Sequence, residues 1–486
     1  MYKELEALIS RGAYPFHMPG HKRNPAFFPP DLFRFDVTEL PETDVLSAPA
    51  GMIKNLQQRV ADFYGADESF LLTNGSSAGV AAAICATGSA NADTGFSPAS
   101  VFLPRNAHVS AVNGLVLSGA MPTWFMPEIF REGICADLAG GVSPKNFDNM
   151  PRGATALVVS PTYEGFVSDI ATIAQKVHER DGILIVDEAH GAHFAFHDFF
   201  PTHALACGAD IVINSFHKTL PMLSGCAVVH VKGRRADVSR LRFFINAMQT
   251  TSPSFLMMAQ CDFAFEKLRA EPEWFEEYVR RLRRVRKEFR QAAASGRFSR
   301  ASICERAIFH SLGTHGIFDI DESKLLFHTN ANAAEISEIL ARDGGVQFEM
   351  AAGNHLLAMT SPADTEEGFS RLQKALAGTE NEAAPPESGF AGNSENRQGR
   401  TIADSRDRSE RSQNRTLAAP FDAPPEIIMS PREAMMLPSE EVPAEAAIGR
   451  ISAEIIAEYP PGIALLVPGE KIKQPAGRKT VRVVKT

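Results

Sequence analysis

The sequence predicts an α/β protein organised around a largely parallel sheet. Two observations carry this. Through the first 250 residues short β-branched runs alternate with stretches of helical period, and GILIVDEAH, at 182–190, is continuously apolar until it meets two acids. A central parallel strand reads this way when it delivers side chains to a site at its carboxyl end. From Gly51, the residues Ile53, Leu56, Val60 and Phe63 recur every three to four positions and stop at Gly65, which predicts a helix with a glycine cap. Strands are expected over 70–73, 101–103, 157–160, 183–187, 211–214 and 227–231. Between the third and fourth, Ile170, Ile173, Ala174 and Val177 form a helical stripe that should end at Gly182, completing a β-α-β unit.

Beyond about residue 250 the texture changes to long amphipathic helices, with Phe275, Val279, Leu282, Val285 and Phe289 on one face. Arg280, Arg281, Arg283, Arg284 and Arg286 are interleaved there and read as a solvated face, with an anion-binding stripe as the alternative. The expected organisation is an N-terminal segment (1–50), a large ligand-binding domain (51–250), a smaller α/β domain (251–377), a disordered linker (378–423) and a C-terminal unit (424–486). The linker is rich in Glu, Ser, Asn, Arg, Pro and Gly, and its arginines are answered by nearby acids, which argues against a nucleic-acid arm. The apolar tail ISAEIIAEYPPGIALLVPGEKI predicts renewed folding.

Composition narrows the function classes. The 486 residues carry 49 basic and 58 acidic side chains, a net charge of −9, and 44% are hydrophobic. That apolar fraction excludes wholesale disorder, and the charge argues against nonspecific binding to nucleic acid or acidic membranes. Six cysteines without a C-x-x-C pair read as reduced thiols of a cytoplasmic protein. The opening MYKELEALISRG reads as an amphipathic helix, not a secretion signal, and the small-residue stretch from Ala78 to Ala92 is too short and polar to span a bilayer.

Three motifs carry chemistry. The sequence has neither a G-x-G nor a G-K-[ST], so neither a dinucleotide fingerprint nor a nucleoside-triphosphate loop is present. Instead FLLT runs into Asn74-Gly75-Ser76-Ser77-Ala78-Gly79 and an Ala-rich helix, where amides and hydroxyls suit a phosphate. A structural cap serine would look the same. Asp187 ends an apolar strand, where a carboxylate is costly unless a cation meets it. Lys218, in Asn214-Ser215-Phe216-His217-Lys218-Thr219, follows another such strand, where burial would lower its pKa and suit it to Schiff-base chemistry. A phosphate cradle, a buried acid and a buried lysine at strand ends are the protein parts a pyridoxal phosphate site requires. The competing reading is a metal site built from His190, His193 and His197 with Asp187 nearby; it leaves the lysine unexplained, and no metal is expected.

These motifs, with Phe16-His17-Met18-Pro19-Gly20-His21-Lys22, LPETDVL, PRNAH, SPTYEG, VDEAHGAHF, SFHKTLP, TSPSFLMMA and PPGIALLVPGE, closely resemble the ornithine/lysine/arginine decarboxylases. The resemblance runs from about residue 10 to 376 and again from about 427 to 473, and is nearest the short bacterial type without an N-terminal wing domain. It implies the aspartate-aminotransferase-like fold (pyridoxal phosphate fold type I) and decarboxylation of arginine, lysine or ornithine to the corresponding amine and CO2. Polyamine synthesis or acid resistance would be the setting, and the site would sit in a homodimer or higher homo-oligomer.

By the same resemblance Lys218 is the Schiff-base lysine, Asp187 the partner of the pyridinium nitrogen and His108 the histidine that stacks on the cofactor ring. Ser76, Ser77, Ser215 and His217 match the phosphate-binding groups. His190 and Thr162 border the cofactor, and either His217 or His190 is a candidate proton donor beside Lys218. Glu470 matches a tail acid near the distal cation of the substrate. Val109 stands where the family usually has lysine, and Gly225 where Gln or Thr is more usual; neither position carries the chemistry. Two other functions keep Lys218 and Asp187: a same-fold aminotransferase or aldolase, and a non-catalytic regulatory subunit.

Overall fold

The computed structural model describes residues 12–17, 19–40, 42–88, 100–130, 138–294, 301–303, 316–329, 331–378, 424–458, 462–474 and 477–485. In chain order the first half places β1 (Tyr14–Phe16), α1 (Met52–Tyr64), β2 (Glu68–Leu72), α2 (Gly75–Thr87), β3 (Ser100–Pro104), α3 (Val109–Ser118), β4 (Met121–Phe125) and β5 (Thr155–Val159). Next come β6 (Phe166–Val167), α4 (Ile170–Glu179), β7 (Ile183–Asp187), β8 (Ile211–Asn214), the one-turn α5 (Phe216–Thr219) and β9 (Ala227–Val231). Seven of these strands form one sheet in the order β2-β9-β8-β7-β5-β3-β4, in which only β9 runs against the others. Val159 lies opposite Asp187, and Asp187 opposite Ile213, so the central strands end level with one another.

Local chemistry explains these elements. The apolar stripe of α1 is buried at Ile53, Leu56 and Val60, and Gly65 ends the helix in the left-handed region with its amide on the carbonyls of Ala61 and Asp62. In α2, a Cβ on Gly79 would come within 2.8 Å of Leu72 and Val229, so the helix rests directly on β2 and β9. That contact aims the start of α2 at the strand ends. The expected strands 183–187, 211–214 and 227–231 occur with those bounds, and the other three are shifted or extended by up to two residues at either end. Two details depart from expectation. Edge strand β4 went unforeseen because Met121-Pro122-Thr123 lacks a β-branched run, and α4 stops at Glu179, before Asp181 adopts a positive φ of 56°.

The later chain continues with α6 (Val238–Met248), α7 (Phe255–Ala270), α8 (Glu273–Ala294), β10 (Ala301–Ile303), β11 (Asp319–Ile320), β12 (Lys324–Thr329), α9 (Ala333–Arg342), β13 (Val346–Phe348), β14 (Met350–Ala352), β15 (His355–Met359) and α10 (Glu366–Gly378). An antiparallel sheet of order β10-β12-β15-β14 packs on α8, where Phe289 meets Phe327 edge-on at 5.1 Å. Strand β1 joins β13 in parallel, and β6 pairs with β11 antiparallel, each as a separate two-stranded sheet.

The arginines of α8 are solvated in part. Arg280 and Arg281 pair with Glu277, and Arg284 with Glu366. Arg286 corrects that reading: it is buried, and its guanidinium donates to the carbonyls of Glu322 at 2.9 Å and Lys324 at 2.7 Å. The tail adds α11 (Pro431–Met436), β16 (Ser439–Pro443), β17 (Ile456–Glu458), β18 (Ile463–Leu466) and β19 (Thr480–Val484), with Ile456, Leu466, Ile472, Val481 and Val483 in one apolar cluster. The expected N-terminal helix falls almost wholly, and the linker from residue 379 on, outside the described residues, as do Cys135 and Cys304. Among the described residues no helix is long and apolar enough to cross a membrane.

Candidate active site

The carboxyl ends of β2, β3, β5, β7 and β8 converge on a cavity of about 350 Å³, near the lower end of the ~300–1,000 Å³ typical of small-molecule sites. Its lining includes Ser76 and Ser77 at the start of α2, His108 after β3 and Thr162 after β5. Asp187 ends β7, His190 follows it, and His217 with Lys218 follows β8. Ser215 joins them through its hydroxyl, which donates to Ser76 Oγ at 2.6 Å. Eight of the nine residues expected near the cofactor or the reacting atoms therefore line one cavity, and the ninth is bonded to its wall.

Each group has a definable state. Asp187 is buried and accepts from the Ala189 amide at 3.2 Å; burial raises its pKa and nearby Lys218 lowers it. Lys218 is pushed the other way, since burial disfavours its ammonium while Asp187 and Glu349 favour it. Its Nζ lies 3.0 Å from His190 Nε2. His108 caps α3, with its Nδ1 accepting from the Ser110 amide at 3.2 Å, so the proton of its neutral form is on Nε2. His217 has the opposite tautomer, because its Nδ1 lies 2.9 Å from the Cys226 carbonyl and must donate. Burial lowers the pKa of both His108 and His217 to about 4, so both are neutral near pH 7.

The segment around Pro19-Gly20-His21-Lys22 braces the Lys218 turn from outside. The Gly20 amide donates to the His217 carbonyl at 2.7 Å, and a Cβ on Gly20 would sit 2.6 Å from the Leu220 carbonyl oxygen. Only glycine fits there. Lys22 is buried and donates to the carbonyls of His17 at 3.0 Å and Met359 at 2.9 Å, strapping the segment to β15.

One sequence expectation changes. Glu470 is not among the cavity-lining residues; its carboxylate lies 3.4 Å from the guanidinium of buried Arg105, which also donates to the carbonyls of Ala464 and Leu465. The tail instead reaches the cavity through Ile463, which bridges to His108. The histidines of the metal reading diverge: His190 contacts two lysines, His193 lies 3.0 Å from Asp321, and His197 lies 3.4 Å from Glu276. The acid next to Asp187, Glu188, is not among the cavity-lining residues. It accepts from Asn214 Nδ2 at 3.1 Å and the Ala204 amide at 2.8 Å, and burial pushes its pKa up to about 8.

Glu349, Tyr163, Glu164 and Asn106 line the cavity and escaped sequence reasoning, as did Lys324, which touches the cavity residue His190. Lys324 opens β12 and is buried, with its Nζ 2.8 Å from His190 Nδ1. Glu349, between β13 and β14, accepts from Tyr163 Oη at 2.7 Å. A charged residue opening an apolar run, as in Lys324-Leu325-Leu326-Phe327, was the one available signal.

The residues present fit pyridoxal phosphate. Hydroxyls and amides at the start of a 13-residue helix suit its phosphate, Asp187 suits a protonated ring nitrogen, and Lys218 is an amine of lowered pKa. Buried Asn106 Oδ1, on the cavity wall, has no hydrogen-bond partner among the described residues, as expected of a group that meets a ligand.

Comparison with known proteins agrees. The family model described as Orn/Lys/Arg decarboxylase, major domain, matches residues 1–327, and that of the C-terminal domain matches 414–482. The chain is 28% identical to an arginine decarboxylase of Bacillus subtilis over 98% of its own length and 91% of the relative's. It is 24% identical to the lysine decarboxylase LdcA of Pseudomonas aeruginosa, over 97% of this chain and 74% of that one. The solved constitutive lysine decarboxylase of Escherichia coli shares the fold, with a TM-score of 0.72 and 19% identity over 96% of this chain and 79% of that one. A serine palmitoyltransferase solved with pyridoxal phosphate shares it more distantly, with a TM-score of 0.52 and 16% identity over 75% of this chain and 86% of that one. Motifs, fold and family matches coincide over most of the chain: it belongs to the Orn/Lys/Arg decarboxylases, pyridoxal-phosphate-dependent carboxy-lyases acting on basic amino acids.

Proposed function

We propose that the protein decarboxylates arginine or lysine, with ornithine as the third candidate, to the corresponding amine for polyamine synthesis or acid resistance. The observation that carries this is the placement of Lys218, Asp187 and the start of α2 around one cavity at the strand ends. The Bacillus relatives named arginine decarboxylase support arginine as the first substrate to try.

Pyridoxal phosphate, when bound, supplies the electron sink for the electrons released with the carboxylate. Ser76, Ser77, Ser215 and the α2 amides would hold its phosphate, with His217 alongside. Asp187 would keep the ring nitrogen protonated, and His108, fixed by Ser110, would hold the ring plane. Lys218 would anchor the cofactor and then, as a free amine beside His190, hold or move a proton at its Nζ. Thr162 would border the ring. Burial keeps His190 and His217 neutral, so either would pass on a proton only while taking another up in its place. Glu349, in the same cavity, is the acid best placed to attract a cationic substrate. Glu470, paired with Arg105, would act on the substrate only indirectly, through the tail strand that presents Ile463.

A homodimer or larger assembly fits the family resemblance. The buried cysteines Cys85, Cys226 and Cys261, none of them in a disulfide, support a reducing, cytoplasmic setting. The test is product analysis with pyridoxal phosphate and arginine, lysine or ornithine: CO2 and the amine are expected from at least one. A keto acid without CO2 would favour an aminotransferase, and neither product would favour a regulatory subunit.

A further inference from the structure

His190 is held between two lysines, with Nε2 at 3.0 Å from Lys218 Nζ and Nδ1 at 2.8 Å from Lys324 Nζ. An ammonium only donates, and a neutral imidazole has one N–H and one lone pair. Both contacts are hydrogen bonds only if the lysine facing the ring N–H is an amine accepting from it while the other lysine, amine or ammonium, donates to the lone pair, or if the ring carries the charge between two amines. In no case are both lysines ammonium, so the trio holds at most one excess proton. Burial selects among these states by disfavouring a charged ring, since His190 is only 7% exposed.

Lys324 is built to stay in place. It is 2% exposed, its carbonyl accepts from Arg286, and a Cβ on Gly165 would meet its Cγ at 2.8 Å, so its stem is wedged against that turn. Asp321 and Glu349 favour its charge, Lys218 and Lys22 oppose it, and burial leaves its pKa near 8. Glu164 also feels Lys324, while Asp321 is already engaged by His193 and the Ser323 amide. Lys218 in turn faces Asp187, Glu349, His108 and His217.

We propose that Lys324 is a positioning residue of the decarboxylation site, sharing one proton with Lys218 through His190 and thereby keeping Lys218 an amine until a proton is needed. The exchange balances. Lys324 Nζ–H breaks as His190 Nδ1–H forms, and Nε2–H breaks as Lys218 Nζ–H forms, leaving an amine at Lys324, the other tautomer of His190 and an ammonium at Lys218. The role in decarboxylation rests on the function proposed above; the sharing of one proton rests on the three side chains alone.

The test uses protein freed of cofactor, acylated with acetic anhydride across pH, with labelling of Lys218 read by mass spectrometry. Lys324→Met removes both the competing base and the neighbouring cation. The midpoint of Lys218 labelling should then rise by about one pH unit or more, a roughly tenfold loss of labelling below the midpoint. Lys324→Arg keeps the charge but cannot release a proton. Its Lys218 midpoint should not rise, while kcat of the loaded enzyme falls at least about tenfold with KM little changed. An unchanged midpoint in folded Lys324→Met overturns the proposal, and so does wild-type kcat in Lys324→Arg if the first variant does not fold. Absence of CO2 from every basic amino acid, with the midpoint shifted as expected, would leave the shared proton standing and remove only the decarboxylase reading.

Discussion

The cavity has two walls of different origin. One is made at the ends of the parallel strands, where short contiguous motifs place Ser76, Asp187 and Lys218. The other comes from residues 321–349, where Glu349 lines the cavity and Lys324, opening a strand of the antiparallel sheet, meets it at His190. The first wall holds the parts that bind a cofactor. The second adjusts the protons and charge around them, which is why mutations on the two walls should differ in kind as well as size.

The largest effect is expected at Lys218. Lys218→Ala should lower kcat by about 10²–10⁴-fold or abolish it, measured by CO2 release, while near-wild-type turnover would move the chemistry to the other wall. Asp187→Asn should reduce kcat by about 10²–10³-fold with the cofactor still bound, because the neutral amide no longer stabilises a protonated ring nitrogen. Cofactor retention read by absorbance separates this from simple loss of binding.

Outside both walls the effects should fall on stability. Glu470→Gln should cost roughly 1.5–3 kcal/mol in denaturant unfolding, as buried Arg105 loses a charged partner, with KM for the basic amino acid unchanged. A raised KM at unchanged stability would restore the role near the substrate cation that the resemblance implies. A pH-dependent effect concerns Glu188, whose folded pKa of about 8 lies above the unfolded carboxyl range. The folded state then binds more protons between roughly pH 4.5 and 8, so this group's contribution is fully present below that window and is lost as pH rises through it. Glu188→Gln should flatten that decline, by up to ~1.4 kcal/mol per pH unit, in unfolding curves taken between pH 5 and 9.

The same contrast explains what was legible in the sequence. The sheet could be read because β7, β8 and β9 are apolar runs with clear ends, and the first wall because Asp187 and Lys218 directly follow such runs. Edge strand β4 could not, since an edge needs no continuous apolar run. Lys324 and Glu349 lie 106 and 131 residues beyond Lys218, and nothing local announces that the chain returns them to its side. Glu470 shows the converse: its motif was legible, but its carboxylate was drawn to Arg105, a partner set by tertiary packing. Arg286 was misassigned for the same reason, its charge buried against two carbonyls that only folding brings near.

The division between the walls can be tested directly, because both carry a buried lysine that touches His190. Borohydride reduction of the loaded protein, followed by proteolysis and mass spectrometry, fixes the cofactor to the lysine that holds it. The account predicts the cofactor on Lys218 with Lys324 unmodified; a cofactor adduct on Lys324, or on neither lysine, would contradict it.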